Sequence, residues 1–390
     1  MPLRFLTSGE SHGPAMVAVL EGFPAGLSLP TSAIDDELAR RQSGYGSGPR
    51  MKIEDDKVQI LSGVMDGVTT GAPISLLIQN NDHKNWQGKP ISPLSTPRPG
   101  HADLTAALKY GYGDFRLSLE RASARETATR VAIGAICKRF LNFFGIQIGG
   151  YVSSIGGLYA DVTAIPIPDR FTLAEQNETR CPDSTAATRF QQRIREAMTQ
   201  KDTLGGIIEI IAIGLPPGLG SHVHADRRLT AKIGAAVLGV QAMKGIEIGP
   251  AFENTGLTGT QTQDAILLQD QELVRPTNRA GGIEGGITNG QPLLVRAAMK
   301  PIASTLTPQP TVDLATGQQT TTQYERSDFC PVPRAVPVLE AVIAFVLADA
   351  LLEKLGGDSI EEITPRFAAL KKSQISDLNI ETDAHTWWPD

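Results

Sequence analysis

The amino-acid sequence predicts an α+β fold, and three observations carry that expectation. Segments of strand type and segments of helical spacing follow one another in mixed order, without the regular β-α-β alternation of a doubly wound sheet. Glycine and proline are plentiful, 39 and 26 of 390 residues, as many tight turns and close backbone approaches require. No fixed-period repeat and no shift in composition marks a linker. One domain is therefore expected over residues 1–390, ending in a tail from about 375 to 390.

In chain order, Leu3 to Thr7 is a short apolar strand that runs into the turn Ser8-Gly9-Glu10-Ser11-His12-Gly13-Pro14. Met16 to Leu20 follows as a second strand, because Pro14 disfavours helix at the residue before it. Ser32 to Arg41 reads as a helix opened by Pro30-Thr31. Its acidic Asp35, Asp36 and Glu37 come early and Arg40 and Arg41 late, the order that suits the macrodipole. A glycine-rich loop, residues 43–50, leads to strands at Lys57 to Ser62 and Ala72 to Gln79, with Asp66-Gly67 turning between them. Asn80 to Gly100 is a long polar, proline-rich stretch of the kind that is usually functional or mobile. Leu104 to Tyr110 reads as helix, as does Val131 to Phe144 with its apolar residues at helical spacing.

Further on, Gly149 to Leu158 reads as a strand, Arg180 to Gln200 as a polar amphipathic helix, and Gly206 to Gly214 as an isoleucine-rich strand. Leu229 to Met243 is a small-residue helix, and Ile287 to Leu294 turns toward a strand ending at Lys300-Pro301. The most apolar helix is Val336 to Leu355, after Pro331 and Pro333.

Composition narrows the function. Net charge is −6 and the sequence pI about 5.6, which excludes a general polyanion binder, so any phosphate chemistry must come from a local cluster of arginines. Three widely spaced cysteines suggest neither a disulfide framework nor zinc ligands. With no signal-peptide pattern and no apolar run of membrane-spanning length, a cytoplasmic location is expected.

The chain is organised around Arg121-Ala122-Ser123-Ala124-Arg125-Glu126-Thr127-Ala128-Thr129-Arg130. Ser123 is expected to cap the helix that follows, with Glu126 closing a Ser-x-x-Glu capping box. A helix start offers free backbone N–H groups, small side chains let an anion approach, and arginines supply bidentate donors. Arg41, Arg50, Arg98, Arg121 and Arg125 all fall where loops are rich in Gly, Pro or Ser, which suits a multiply anionic small ligand. The plain alternative is a set of solvated surface arginines.

His12 and His101 each sit in a glycine-flanked loop, the residue type best suited to proton transfer near neutral pH. Gly9-Glu10-Ser11-His12-Gly13 also has the letters of a G-x-S-x-G nucleophile elbow, although Pro14 and the strand after it give the wrong context for a serine hydrolase. His222 and His224 alternate along an extended segment as metal ligands would, but no third ligand is evident and no metal site is expected. Asp328, beside Arg326, is either an ion pair or a base.

Gly9-Glu10-Ser11-His12-Gly13-Pro14, Arg98-Pro99-Gly100-His101-Ala102-Asp103, Arg121 to Thr127 and Arg326-Ser327-Asp328, in that order and over residues 3 to about 355, resemble chorismate synthases. The resemblance implies a homotetramer whose subunit sandwiches helices between two antiparallel sheets. It implies 1,4-anti elimination of phosphate from 5-enolpyruvylshikimate 3-phosphate to give chorismate, with reduced FMN required although nothing is oxidised overall. By motif, His12 would protonate the departing phosphate, His101 would face the N1–C2=O edge of the reduced flavin, and Asp328 would assist proton removal at N5. FMN contacts would fall on Arg121, Ala122, Ser123, Gln241, Ala242, Gly285, Lys300, Pro301, Ile302, Ala303, Ser304 and Arg326. The substrate would take Ser11, Arg41, Arg50, Arg98 and Arg125. Arg41 and position 47 are the proposed contacts of NADPH, the candidate reductant, and Ser47 stands where such relatives usually carry arginine. The segment between Trp86 and Arg98 is also shorter than in those relatives. A hydrolase and a non-catalytic flavin-binding protein are the competing classes.

Overall fold

The structure is a computed structural model and describes residues 2–48, 54–325, 327–385 and 387. Arg50 and Arg326, both expected at the site, lie outside the described residues.

Two antiparallel sheets form from alternating apolar segments. The first runs Arg4–Ser8, Ala15–Glu21, Ile74–Gln79, Val58–Ser62 across its width. Its inner face is Met16, Ala18, Leu20, Ile74, Leu76 and Ile78, every second residue, as the period of a half-buried strand demands. The second sheet runs Met243–Ile248, Leu293–Met299, Gly206–Ile213, Gln147–Ile155, Leu158–Tyr159.

Between them lie the helices Thr31–Gln42, Thr127–Phe143, Leu229–Leu238 and Val332–Leu355. Thr127–Phe143 packs on the first sheet, Val332–Leu355 on the second, and the two helices pack on each other. Their crossing depends on Gly134, where an added Cβ would lie 2.2 Å from that of Ala341. One continuous core joins both sheets and these helices, which is the expected layering.

Several boundaries moved, for local reasons. Val332–Leu355 begins four residues before the expected start, because Pro333 in the first turn lacks only an N–H that would have no partner there. At 24 residues this helix is long and apolar enough to cross a membrane, contrary to expectation, yet 89% of its apolar window is buried inside the fold. It is the core helix. The helix expected from Arg180 begins instead at Ser184, where the Asp183 side chain accepts from Thr185 N and Ala186 N.

The largest revision is at residues 121–130. Ser123 does not open the long helix, and no capping box forms there. A helix absent from the sequence reading, Arg116–Ala122, runs into it from the other side. Ser123 is extended and caps a short 3-10 turn, accepting from Arg125 N at 3.3 Å, and Thr127–Phe143 follows. Glu126 turns away to Thr7, Arg130 and Gln241, where burial would raise its pKa but these partners hold it low. The stretch is a break between two helices.

Candidate active site

The break opens onto a cavity of about 520 Å³, within the size range of small-molecule sites. Loops from both sheets and the first turn of Val332–Leu355 complete its wall.

His12 stands in the loop joining the first two strands. Gly9 starts that loop at φ +110, where a Cβ would lie 2.4 Å from Ala15 O, so only glycine lets the turn close. Asn80 Nδ2 ties the loop down by donating to Glu10 O (3.1 Å) and Gly13 O (2.8 Å). The His12 ring bonds through Nδ1 to Glu120 Oε1 at 2.7 Å and packs on Trp86 with centroids 4.2 Å apart. Burial would raise the Glu120 pKa, but its hydrogen bonds to His12 and the Arg116 cation hold it low.

His101 lines the same cavity, in the turn after Gly100. Its Nδ1 lies 2.6 Å from Asp103 Oδ1, and Asp103 also accepts from Arg98 N (3.1 Å), Nε (2.8 Å) and Nη2 (3.0 Å). Arg98 Nη1 reaches Ser304 Oγ at 3.1 Å. Burial opposes ionisation of Asp103, yet the bonds from His101 and Arg98 hold its carboxyl well below the usual carboxylate range.

Asp328 lies on the cavity wall as well. Its Oδ1 accepts from Gly48 N at 2.7 Å and its Oδ2 pairs with Arg334, whose Nε donates to Arg41 O. Arg41 and Arg125 grip one buried carboxylate, Asp56, at 3.0 and 2.6 Å. Burial and the neighbouring Arg334 and Arg125 cations depress the Arg41 pKa, and Asp56 opposes them. Both arginines are only 3–4% exposed yet edge the cavity, which they give a cationic floor.

The structure thus brings together His12, His101 and Asp328. It also gathers Ser11, Arg41, Arg98, Arg125, Ala122, Ser123, Gln241, Ala242, Lys300, Ile302, Ala303 and Ser304 around the same cavity. Gln241 and Ala242 reach it because the preceding helix stops at Leu238 rather than Met243, with Ala242 at φ +65 in the turn that follows.

Four expected contacts do not line the cavity. The Arg121 guanidinium donates to Thr7 O, Thr7 Oγ1 and Gly9 O on the exposed side. Gly285 sits at the tip of the hairpin Ile283–Glu284 and Ile287–Thr288, and Pro301 is turned outward. Ser47 Oγ donates to Gly44 O within its own loop. Sequence reasoning missed Glu120, Trp86, Asp56 and Arg334, which become neighbours of the site only through the tertiary fold.

Ser11 does not form a nucleophile elbow. It lies between two strands, Oγ bonded to Ser123 Oγ at 3.1 Å, and the adjacent His12 Nδ1 is taken by Glu120. His224 bonds Asp226 on the surface, and no group of three or more metal-ligating side chains occurs among the described residues.

A family model for chorismate synthase matches residues 3–352. The chain belongs to the chorismate synthase family. Among relatives, the chorismate synthase of Trichlorobacter lovleyi is 49% identical over 379 residues, covering 93% of this chain and 96% of the relative. That of Syntrophotalea carbinolica is 49% identical, covering 94% and 97%. A solved chorismate synthase structure superposes with a TM-score of 0.78 at 42% identity, covering 94% of this chain and 97% of that one, and so places the antiparallel α+β architecture in the same fold.

The family uses reduced FMN. The cavity fits such a group. Gln241 Oε1 is a buried acceptor without a hydrogen-bond partner, on a wall that Gly100, Ala102, Ala122, Ala124 and Ala303 keep low, beside the Lys300 cation. A flat polar ring carrying N–H donors and an anionic tail matches that set of groups.

Proposed function

We propose that this cavity carries out the last step of the shikimate pathway, with His12 and Asp328 handling protons. The reaction is that of a carbon–oxygen lyase, the 1,4-elimination of phosphate from 5-enolpyruvylshikimate 3-phosphate to give chorismate. The observation that carries the reading is the convergence of His12, His101 and Asp328, three motif positions far apart in sequence, on one cavity edged by Arg41, Arg98, Arg125 and Arg334.

Arg98 and the floor arginines attract the phosphate and carboxylates of the substrate. His12 Nε2, the ring nitrogen not engaged by Glu120, delivers a proton to the phosphate as the carbon–oxygen bond breaks. Asp328, which accepts from Gly48 N and pairs with Arg334, assists on the side where the ring proton is lost. Ala122, Ser123, Gln241, Ala242, Lys300, Ile302, Ala303 and Ser304, which line the cavity, would hold FMN, and His101 would face it. When bound and reduced, FMN supplies electron density that helps the phosphate leave.

Ser47 offers no cation to NADPH, which supports dependence on flavin reduced elsewhere. The outer face of the first sheet supports the homotetramer: Leu6 is 76% exposed and shares that face with Val17, Val19 and Leu77. The test is an anaerobic assay of protein, reduced FMN and substrate. Stoichiometric chorismate and phosphate are expected, and release of neither overturns the reading. With oxidised FMN and NADPH in place of reduced FMN, no turnover is expected.

A further inference from the structure

His12 is fixed more tightly than a loop histidine needs to be. Its backbone N donates to Glu120 Oε2 at 2.7 Å, its ring Nδ1 meets Glu120 Oε1 at 2.7 Å, and its carbonyl lies 2.9 Å from His83 Nδ1. Ser11 N donates to Glu120 O at 3.1 Å, so one residue holds the turn by three bonds. Trp86 covers the imidazole, and Arg116 sits over the Trp86 ring at 5.5 Å.

Glu120 occupies the last turn of Arg116–Ala122, where a carboxylate opposes the helix dipole. Its side chain is only 13% exposed. Local helix energetics therefore argue against an anion at this position, while its contacts with His12 account for one.

We propose that Glu120 is the positioning residue of His12. The two carboxylate oxygens take two donors from the same residue, the backbone N–H and the ring Nδ1–H. That fixes the aim of the ring so that Nε2 is the nitrogen turned to the reacting phosphate, and it is as the imidazolium, with N–H on both nitrogens, that the ring delivers its Nε2 proton; Asp82 Oδ2 lies 4.0 Å from Nε2. Trp86 prevents the ring from tilting out of that position.

The inference rests on the assignment of His12 as the acid, and the test separates the two. Glu120→Gln preserves volume but has a single acceptor oxygen, so its amide N–H₂ must face either the His12 N–H or the ring Nδ1. Measured with reduced FMN and substrate, it is expected to lower kcat by about 10–10³-fold, by the logic of a histidine that has lost the carboxylate orienting it. KM, reduced-FMN affinity and Tm are expected to stay near wild type. Glu120→Asp keeps both oxygens and is expected to retain more activity than the Gln variant. In a His12→Ala background, Glu120→Gln is expected to have no further effect on kcat.

A Gln variant with wild-type kcat overturns the proposal. So does a kcat loss matched by loss of FMN affinity and Tm, an Asp variant poorer than Gln, or an undiminished Gln effect without His12. If His12→Ala alone turns over like wild type, the acid assignment is what fails.

Discussion

The two histidines that line the cavity are each held by a carboxylate on Nδ1, at 2.7 Å for His12 and 2.6 Å for His101, yet they are built differently. His101 takes its partner from Asp103, two residues on, inside a proline-glycine turn that also folds Arg98 onto the same carboxylate. His12 takes its partner from Glu120, 108 residues away, on a helix that meets the first sheet only in the finished fold. The first is a self-contained local hub whose loss exposes a buried cation. The second is a tertiary clamp whose loss misaims a ring. Stability should therefore reside at the His101 wall and proton delivery at the His12 wall.

Asp103→Ala tests the first half and should have the largest stability effect, because it strands the Arg98 guanidinium, whose side chain is 9% exposed, without its partner. A loss of about 3–5 kcal/mol in urea unfolding is expected. A loss below about 1 kcal/mol, the range of surface pairs, breaks the comparison.

The acid limb sharpens it. Both carboxylates have folded pKa values below their unfolded ones, so each contributes stability fully above about pH 4 and loses it as pH falls through the folded value. Unfolding free energies of wild type and Asp103→Asn should therefore converge as pH is lowered from about 5 toward 2, since the protonated wild type comes to resemble the variant. A gap that widens on acidification contradicts the account.

The smallest effect is expected of Trp86→Leu. It removes the ring that covers His12 but leaves the Glu120 bonds in place. A Tm decrease corresponding to about 0.5–1.5 kcal/mol is expected, with a kcat loss smaller than that of Glu120→Gln. A larger kcat loss than Glu120→Gln shifts the positioning role from the carboxylate to the stack.

The same contrast governs what the sequence made legible. Strand alternation at Met16, Ala18 and Leu20 and the apolar run from Val336 exposed the sheets and the core helix, because periodicity is a local property. His101, Arg98 and Asp103 were visible as one turn for the same reason. At Ser123 the pattern S-x-x-E was present, but Glu126 had stronger partners in Thr7, Arg130 and Gln241, and tertiary hydrogen bonds prevailed over a local cap. The end of the helix at Leu238 was signalled only by Gly239, its C-cap, which small-residue spacing on either side masked, so the turn that puts Gln241 on the wall was passed over. Asp56 and Arg334 carry no spacing signal at all, since the arginine floor is assembled from four separate segments. Arg41 and Arg125 were expected as open substrate ligands, and the fold places them instead as a buried, shared pair at the cavity edge.

The central claim is that one cavity has two specialised walls, His101 toward the flavin and His12 toward the departing phosphate. The most direct measurement is reduced-FMN affinity and kcat for His12→Ala and His101→Ala, side by side under anaerobic conditions. The account predicts that His12→Ala lowers kcat by about 10²–10⁴-fold with flavin affinity intact, while His101→Ala weakens reduced-FMN binding. Flavin affinity lost in His12→Ala and retained in His101→Ala, or full turnover by His12→Ala, contradicts it.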